Sequence, residues 1–301
     1  MTSLKTKNNR LLLVLNPVSG KGKGKKILFD IVNRFTLHGY VVTVIPTSAK
    51  RSDSEKSIKI ASQNCDIIVA VGGDGTLNLV ASAMMRHSIN LPLGYIPLGS
   101  TNDFASSLNL PKSHLDCCDL IAEREPKSID IARFCDDYFV YIAGTGLFTE
   151  ASYMTSQQLK NTLGPSAYVW NAITSLKDTK SLKYKIDADG EIIEGDFIFV
   201  SVSNTLRAGG VIRIPKKDIE FDDGLFELTL IKTPERLTDL SNLINDLIKS
   251  DLDTDCFLRR HIRRAKIELE AAVSWSLDGE NGGMAQIADI EVVNKAIRFI
   301  Y

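Results

Sequence analysis

The sequence predicts an α/β protein with an N-terminal three-layer domain, built on a parallel sheet, and a second domain rich in β-structure. In the first third of the chain, short β-branched runs bounded by glycine and proline alternate with segments of helical length. This pattern is typical of a parallel sheet covered by helices on both faces. From about Lys127 the pattern changes to strand-like runs separated by turns. A chain of 301 residues is long enough for two domains that each bury a core.

The N-terminal elements alternate regularly between strand and helix. The predicted strands are Leu11–Leu15, Val41–Ile45, Asp66–Val71 and Leu93–Ile96, and the predicted helices are Lys25–His38, Ser54–Gln63 and Leu77–His87. In parallel sheets of this kind, ligands bind beyond the carboxyl ends of the strands. The expected site therefore lies at the residues that follow the apolar runs, which are Asn16, Thr47, Gly72 and Leu98-Gly99.

The C-terminal part is expected to hold one long helix, Glu150–Leu176, among strands. Lys183–Asp187 and Glu191–Ser203 flank Ala188-Asp189-Gly190, which predicts a hairpin because Asp-Gly favours a two-residue turn. Further strands are predicted at Leu225–Ile231, Ala265–Leu269, Val273–Leu277 and Ile287–Val293. The change of pattern assigns residues 1–130 to the first domain and 131–293 to the second, with 294–301 expected to pack back on the first.

The composition indicates an ordinary globular protein, with 44% hydrophobic residues, 24% charged residues and a net charge of -1. This balance gives no overall attraction to nucleic acid. The local basic clusters, Lys21–Lys26 and Arg259–Lys266, contain no interleaved aromatic residues. We therefore expect no nucleic-acid partner, whereas contact of a basic cluster with phosphate or with an anionic lipid surface stays open.

The cysteines and the N-terminal segment bear on the location of the protein. The five cysteines are odd in number, include the adjacent pair Cys117-Cys118 and show no Cys-x-x-Cys spacing, which favours a reducing compartment. The chain is polar up to Arg10, and the apolar run that follows is too short for a signal sequence or a membrane span. We expect a cytoplasmic protein that is peripheral to the inner face of the membrane.

A glycine-rich loop, Gly72-Gly73-Asp74-Gly75-Thr76, follows the strand Asp66–Val71 directly and precedes a helix. Glycines at such a junction let backbone N–H groups approach phosphate oxygens, and the helix N-terminus favours an anion. The alternative is a tight strand-to-helix turn capped by Thr76. Asp74 favours the phosphate site, because a carboxylate among phosphate-binding amides would repel phosphate unless Mg²⁺ lay between them.

A second loop, Gly99–Ala105, also follows a strand and again combines glycine, hydroxyl groups and a carboxylate. The alternative is a simple helix N-cap by Thr101 or Asn102. Together with Asp130 in the next strand, the aspartates of the two loops, Asp74 and Asp103, are expected to converge on one network of metal and water.

The lysine-rich segment Gly20–Lys26 is not a P-loop, because Lys25 is followed by another lysine instead of serine or threonine. The residues before it, Asn16–Gly20, close the first strand and could place amides and the Asn16 side chain near a nucleotide. Lys21–Lys26 itself is expected to begin a solvated helix, and direct phosphate contact is the alternative.

Two Asp-Gly-Glu triplets occur in the chain. Asp189-Gly190-Glu191 lies between two strand-like runs with no spare residues, so we interpret it as a hairpin turn. Asp278-Gly279-Glu280 ends the strand Val273–Leu277 and enters a stretch, Asn281–Gly283, that is expected to be loose. This second triplet could project a carboxylate into a cleft, and a plain turn is the alternative.

The motifs resemble those of the soluble bacterial diacylglycerol kinase-like lipid kinases. Asn16-Pro17 with Ser19-Gly20, the loops at 72–76 and 99–105, and Asp278-Gly279-Glu280 occur in the order and approximate spacing of that family, over nearly the whole chain. The glycine loop alone is shared with NAD kinases and resembles that of phosphofructokinases, so Asn102–Ala105 and the late Asp-Gly-Glu are more discriminating. The resemblance implies an α/β nucleotide domain, a lipid-facing β-sandwich domain and an active site in the cleft.

The resemblance also implies roles for residues at matching positions. Those implied to line ATP are Asn16, Thr47, Gly72, Gly73, Asp74, Gly75, Thr76, Leu77, Asn78 and Ser100. Asp74, Asp103 and Asp130 are implied to organise catalytic Mg²⁺ and water. Glu280 is implied to be the general base. A structural Mg²⁺ site is implied at Glu220, Asp223 and Leu225, where the alternative is a simple Asp-Gly turn between strands.

The chain departs from the family pattern at Leu79, where an acidic residue is common, and after Gly146, where an aspartate is often found. We expect an active ATP-dependent kinase for a lipid alcohol such as diacylglycerol, with acceptor choice left open by these departures. The alternatives are an NAD kinase-like enzyme and a nucleotide- or lipid-binding homologue with weak catalysis. Pairing of two subunits through an exposed strand of the second domain also stays open.

Overall fold

A computed structural model describes residues 9–146, 182–208, 212–213 and 219–301. The chain divides into two compact units, and it passes from one to the other after Ile129 and again after Asn294. The long helix expected over Glu150–Leu176 lies outside the described residues.

The first unit alternates strands with helices. Its strands are β1 (Asn9–Leu15), β2 (Tyr40–Pro46), β3 (Ile67–Gly72) and β4 (Leu93–Pro97), and its helices are α1 (Ser19–Leu37), α2 (Arg51–Ser62), α3 (Asp74–Arg86), α4 (Asp103–Ser107) and α5 (His114–Glu123). β1 pairs in parallel with both β2 and β3, and β3 pairs in parallel with β4. The carboxyl ends of these strands therefore meet at one edge, from which the loops before α1, α2, α3 and α4 emerge.

The core of the first unit is built on β1. Every residue from Leu11 to Leu15 is buried, so this strand is covered on both faces. α1 contributes Ile27, Ile31 and Phe35, which follow at one-turn intervals and pack into the same cluster as Val69 of β3. The helical period of the sequence thus brings one face of α1 onto the sheet.

α1 begins at Ser19, earlier than the predicted start at Lys25. The lysine-rich segment therefore lies within the first turns of this helix. This agrees with the expectation that Lys21–Lys26 begins a helix, although the alternation of lysine with glycine, a weak helix former, put the predicted periodic helix only at Lys25. Gly20 is required by close packing, since a Cβ at this position would lie 2.8 Å from the carbonyl oxygen of Leu98.

A polar contact joins α1 to α5. The guanidinium of Arg34 donates from Nε to Oδ1 of Asp119 over 2.6 Å, and its Nη2 donates to the other carboxylate oxygen. His38 Nε2 lies 2.7 Å from the same Oδ1. Hydrogen bonds from Arg34 and then from His38 lower the pKa of Asp119 to about 2.

Asp119→Asn is expected to lower the free energy of unfolding at neutral pH by roughly 1 kcal/mol or less, because the pair is partly exposed. A lowered pKa means that the stabilisation is present above the unfolded-state pKa, about 4, and is lost as the pH falls toward about 2. Urea unfolding of both proteins at pH 7 and pH 3, followed by circular dichroism, measures the difference. The difference in the free energy of unfolding between the two proteins should be smaller at pH 3 than at pH 7. An equal difference at both pH values would contradict the stabilising role assigned to the ionised Asp119.

The second unit consists mainly of antiparallel strands. They are β5 (Lys127–Phe134), which begins in the first unit, β6 (Asp137–Phe139), β7 (Ile142–Gly146), β8 (Leu182–Ala188), β9 (Glu191–Ser203), β10 (Arg207–Ala208), β11 (Ile212–Arg213), β12 (Phe226–Lys232), β13 (Phe257–Ile262), β14 (Arg264–Leu277) and β15 (Glu280–Phe299). β9 pairs with β7, β8 and β12, and β14 pairs with β7, β8 and β15. Buried and exposed residues alternate along β8, where Tyr184 and Ile186 point into a core centred on Trp275.

The predicted hairpin at Ala188-Asp189-Gly190 is confirmed, since Ala188 lies opposite Glu191 in the β8–β9 pair. The strands predicted at Ala265–Leu269 and Val273–Leu277 are one continuous strand, β14, whose register shifts between Glu268 and Val273. That shift explains why the alternation of the sequence breaks there.

The helix α6 (Leu237–Lys249) was not predicted. Its signal is present in the sequence, because Leu243, Ile244 and Leu247 recur at helical spacing, and they are buried against Ile231 and Phe257. Within the described part of the chain, no helix is long and apolar enough to cross a bilayer.

The final strand returns to the first unit. Phe299 of β15 lies opposite Leu93 of β4, and the two strands are parallel. Ile300 N–H donates to the carbonyl oxygen of Leu93 over 3.0 Å, and the ring of Phe299 packs edge-on against Phe104 of α4. The last residues of the chain thus extend the first sheet and support the helix that follows the second loop.

Candidate active site

The junction of β3 and α3 is shaped by glycine. β3 ends at Gly72 and Gly73 is the N-cap residue of α3, which receives no side-chain cap. A Cβ at Gly72 would lie 2.2 Å from Oγ1 of Thr76, so a larger residue does not fit. The alternative of a turn capped by Thr76 is wrong, because Thr76 lies inside the first helical turn and its buried Oγ1 has no hydrogen-bond partner among the described residues. The junction therefore presents a helix N-terminus that suits an anion.

The loop after β4 lies directly against this junction. Leu98 N–H donates to the carbonyl oxygen of Gly72 over 2.6 Å. A Cβ at Gly99 would lie 2.7 Å from the Cα of Gly73, so the two backbones approach each other more closely than any side chain allows. The two glycine loops that the sequence singled out therefore form one continuous backbone surface.

Asn102 fixes the second loop internally. Its Oδ1 accepts from the N–H of Gly99 and its Nδ2 donates to the carbonyl oxygen of Gly99, both over 2.8 Å. Asn102 adopts a left-handed conformation at φ 50° and is the N-cap residue of α4, but its side chain makes no cap bond. The alternative of a side-chain N-cap by Thr101 or Asn102 is therefore wrong. The side chain of Asn102 instead holds the loop in place through its two hydrogen bonds to Gly99.

The aspartates of the two loops are in contact through the backbone of Asp103. Asp74 is the first residue of α3 and Asp103 the first of α4. Asp103 is 4% exposed, and its backbone N–H lies 3.3 Å from Oδ2 of Asp74. The loops that follow the adjacent strands β3 and β4 thus bring Asp74 and Asp103 into contact.

These two carboxylates have the chemistry that suits Mg²⁺. Mg²⁺ prefers oxygen ligands and commonly combines one or two carboxylates with the phosphates of a substrate. Asp74 and Asp103 provide such oxygens beside the N-terminus of α3. Among the described residues, no group of three or more histidine, cysteine, aspartate or glutamate side chains could hold a metal by itself.

Asp130 forms hydrogen bonds within the second unit. Its Oδ2 accepts from Gly224 N–H over 2.6 Å and its Oδ1 accepts from Nδ2 of Asn294 over 3.0 Å, all within the second unit. Its own N–H donates to the carbonyl oxygen of Phe221. Asp130 is 1% exposed and thus fixes the turn before β12 within the second unit.

The remaining residues expected around ATP follow the same strand edge. Asn16 N–H donates to Val71 and Thr47 N–H donates to Leu15, so both residues continue the strand pairing just beyond β1 and β2. Ser100 is exposed in the second loop. Leu77 is fully buried, which leaves only its backbone to face a ligand.

Asn78 is also buried, at 3% exposure, and its Oδ1 accepts from Arg51 of α2 over 2.8 Å. Arg51 was not predicted, because no local motif marks it. The only sequence signal is its position four residues after Thr47, at the start of α2.

In the second unit, the carboxylate of Asp278 is the centre of a backbone network. Its Oδ2 accepts from Val140 N–H over 2.7 Å, and its Oδ1 accepts from Tyr141 and Ile142 N–H over 2.9 and 3.1 Å. Its own N–H donates to the carbonyl oxygen of Ile142. Asp278 is 1% exposed, so these bonds are shielded from water.

Glu280 follows this turn and is exposed at the start of β15. The loose stretch expected after it is wrong, because Leu277 lies opposite Glu280 and Ser276 opposite Asn281. Asp278 and Gly279 adopt φ values of 50° and 83°, the two left-handed positions of a type I′ hairpin. The Asp-Gly pair closes the hairpin tightly, and the irregularity of the strand follows at Gly282 and Gly283 instead.

The two Asp-Gly-Glu triplets share this geometry. Asp189 and Gly190 adopt φ values of 50° and 94°, and the Asp189 carboxylate accepts from the N–H groups of Arg263 and Arg264. The first turn is exposed, whereas Asp278 is buried and accepts from three N–H groups. Glu191, which follows the first turn, accepts two hydrogen bonds from Arg260.

The turn implied to hold a structural Mg²⁺ is held by protein groups. Asp223 Oδ1 accepts from Leu225 N–H over 2.9 Å, which makes a local Asx turn. Asn294 Nδ2 lies 3.3 Å from the carbonyl oxygen of Asp222, and Gly224 adopts φ 80°. Glu220 is exposed beside this turn. These contacts are those of the Asp-Gly turn that the sequence offered as the alternative to a metal site.

Comparison with known proteins gives a consistent result over the two parts of the chain. Residues 10–134 match the diacylglycerol kinase catalytic domain, and residues 143–301 match the YegS C-terminal NAD kinase beta sandwich-like domain. Diacylglycerol kinase from Bacillus subtilis (strain 168) is 29% identical over 276 residues, which cover 91% of each chain. Diacylglycerol kinase from Staphylococcus carnosus (strain TM300) is 28% identical and covers 91% of this chain and 89% of its own.

A solved structure supports the same relationship. The crystal structure of a diacylglycerol kinase from Bacillus anthracis str. Sterne has a TM-score of 0.80 and 26% identity, and the match covers 99% of this chain and 98% of that chain. The mixed α/β fold and the β-sandwich-like C-terminal domain therefore agree with the family. Since the two domain matches together span nearly all of residues 10–301, the chain belongs to the diacylglycerol kinase family and is a diacylglycerol kinase-like kinase.

Proposed function

We propose that this protein transfers the γ-phosphoryl group of ATP to the hydroxyl group of a lipid such as diacylglycerol. The observation that carries the proposal is the contact between the loops at Gly73 and Gly99, which brings Asp74 and Asp103 together beside the N-terminus of α3. Phosphoryl transfer depends mainly on positioning and on neutralising charge; the loop amides would supply the first, and a Mg²⁺ ion held by the two aspartates would supply the second. The names of the curated relatives support diacylglycerol as the acceptor.

The first unit is proposed as a three-layer nucleotide domain. Its ATP-lining residues would be Asn16, Thr47, Gly72, Gly73, Asp74, Gly75, Thr76, Leu77, Asn78 and Ser100. Amide groups at the start of α3 would face phosphate oxygens, because the glycines leave room for close approach. Asp74 and Asp103 would hold Mg²⁺, which supplies charge neutralisation on the phosphates when it is bound. Asp130 is proposed to act with them through water, and Glu220, Asp223 and Leu225 to hold a second, structural Mg²⁺.

The second unit is proposed to receive the lipid. Glu280 would orient the acceptor hydroxyl and accept its proton late in the transfer, since a carboxylate is too weak a base to deprotonate an alcohol beforehand. The buried Asp278 supports this role, because its bonds to three backbone N–H groups fix the turn from which Glu280 projects. Glu280 is exposed, as a residue that meets a substrate must be.

A lipid acceptor requires contact with a membrane surface. We therefore propose peripheral association with the inner face of the membrane from a cytoplasmic location. A homodimer is proposed through β13, which is an edge strand of its sheet within the described residues. Vesicle sedimentation tests the first proposal and light scattering tests the second. Protein that does not bind to vesicles containing the acceptor would overturn the proposed membrane association. A strictly monomeric mass would overturn the proposed homodimer.

Phosphate transfer from labelled ATP to a panel of acceptors tests the proposed reaction. The panel contains diacylglycerol, a monoacylglycerol, a long-chain base and a prenol in mixed micelles, with NAD as a soluble acceptor. We expect label in diacylglycerol and none in NAD. Label in NAD alone would favour the NAD kinase-like alternative, and intact ATP binding without turnover on any acceptor would favour a weakly catalytic homologue.

Gly99→Ala is expected to raise the KM for ATP by about tenfold or more, because the new methyl group would lie 2.7 Å from both Gly73 Cα and Asn102 Oδ1. The two loops must then separate, and the amides leave their positions. Gly195→Ala adds the same methyl group beside the Phe197 ring in the second unit and serves as the control. Kinetics at varied ATP concentration measure both, and an unchanged KM for Gly99→Ala would contradict the proposed role of this contact.

A further inference from the structure

We infer that Arg51 is a positioning residue for the nucleotide and that it acts through the side-chain amide of Asn78. The inference rests on the proposed ATP site, because Asn78 belongs to it. Arg51 is the first residue of α2, and its Nη2 donates to Oδ1 of Asn78 in α3 over 2.8 Å. The bond links the loop after β2 to the helix that starts at the phosphate-binding junction.

The position of Asn78 makes its orientation consequential. It lies four residues after Asp74, so the two side chains lie on the same face of α3, one turn apart. Asn78 is 3% exposed, and its Oδ1 also lies 3.5 Å from Oγ of Ser82. Because two donors are directed at Oδ1, the amide has one orientation, and Nδ2 lies on its opposite side. The fixed side chain therefore ties the first turns of α3, which begin at the proposed phosphate site, to the start of α2.

Arg51 is itself fixed by a second contact. Its Nε donates to Oε1 of Glu55 over 3.1 Å, and the same oxygen accepts from Nη1 of Arg86 over 2.6 Å. The Glu55 side chain is 12% exposed, whereas that of Arg51 is 41% exposed. The carboxylate therefore holds the guanidinium in place, and the planar fork of arginine directs a second N–H at Asn78.

A purely structural role for Arg51 is the competing explanation. Arg86 already joins α3 to α2 through Glu55, so a link between the two helices exists without Arg51. Arg51 also donates to the amide of Asn78, a residue of the proposed nucleotide site. The pair of arginines around one glutamate therefore offers a matched comparison within the chain.

The first test compares Arg51→Ala with Arg86→Ala. Arg51→Ala is expected to raise the KM and the dissociation constant for ATP by about tenfold, with kcat within about twofold of the wild type and the KM for the lipid unchanged. Arg86→Ala loses the same partner, Glu55, and is expected to keep the wild-type affinity for ATP. The inference would be overturned if Arg51→Ala and Arg86→Ala lost ATP affinity to the same extent and also lost thermal stability to the same extent.

A double-mutant cycle tests the route through Asn78. If Arg51 acts through this amide, Arg51→Ala should have little further effect on ATP affinity in an Asn78→Ala background. Additive losses would overturn the route, because they would show that Arg51 contacts the nucleotide independently. Arg51→Lys, which keeps a charged donor, is expected to recover part of the affinity, and a variant no better than alanine would contradict the hydrogen-bond argument.

Calorimetric titration with ATP provides the affinities in both tests. These values do not depend on the acceptor, so failure of lipid phosphorylation and failure of the Arg51 inference are distinguishable. If Asn78→Ala does not fold, the comparison of Arg51→Ala with Arg86→Ala decides by itself, since both side chains are partly exposed and tolerate truncation.

Discussion

Glu280→Gln is expected to lower kcat for lipid phosphorylation by about 10²- to 10⁴-fold, because glutamine keeps the size of the side chain but cannot accept the proton of the hydroxyl. The affinity for ATP should stay unchanged, since the nucleotide is proposed to bind at the β3–α3 junction. Steady-state kinetics with diacylglycerol in mixed micelles, together with calorimetric titration with ATP, measure the two effects.

The other Asp-Gly-Glu turn provides a matched control. Glu191 occupies the same position after a type I′ turn in the other triplet, and it accepts two hydrogen bonds from Arg260. Glu191→Gln should therefore retain turnover close to that of the wild type. If Glu280→Gln and Glu191→Gln both turn over like the wild type, Glu280 is not the base.

Asp278→Ala is expected to lower the free energy of unfolding of the second unit by roughly 3 kcal/mol or more, because three buried backbone N–H groups lose their acceptor. Turnover should fall as well, since the turn that carries Glu280 is no longer fixed. Asp278→Asn should lie between the wild type and alanine, because its Oδ1 can still accept while its NH₂ group would face a donor. Denaturant unfolding and kinetics measure these changes.

Asp189→Ala is the matched control for stability. It removes the same side chain from a turn of the same type, but the turn is exposed and the N–H groups of Arg263 and Arg264 can bind water instead. A loss of about 1 kcal/mol or less is expected. Equal losses in Asp278→Ala and Asp189→Ala would show that burial of the Asp278 network contributes nothing.

The sequence predicts the first unit better than the second because the physical signals are stronger there. The apolar run Leu11–Leu15 predicts a strand with both faces buried. The glycine loop after the neighbouring strand β3 predicts a tight junction between strand and helix. The exact start of α1 is obscured by its glycines, which are weak helix formers, although packing against Leu98 requires Gly20. In the second unit, the register shift in β14 interrupts the alternation on which strand prediction depends.

The candidate site shows a similar limit. Local motifs identified Asp74 and Asp103, and their meeting could be predicted because the ends of adjacent parallel strands lie side by side. The contacts of Asp130 with Gly224 and Asn294 could not be predicted, because they join residues far apart in the chain. Arg51 was missed for the same reason, since its partner Asn78 lies on a different helix.

A single-turnover experiment tests whether this chain transfers phosphate from ATP to a lipid. The enzyme is loaded with γ-labelled ATP and Mg²⁺ and mixed with diacylglycerol micelles, and the label is followed in the lipid extract. The wild-type enzyme is expected to move the label into the lipid, whereas Glu280→Gln is expected to bind the nucleotide and to leave the label on ATP. Label that appears only in free phosphate or in added NAD, with none in the lipid, would contradict the proposal that this chain is a lipid kinase.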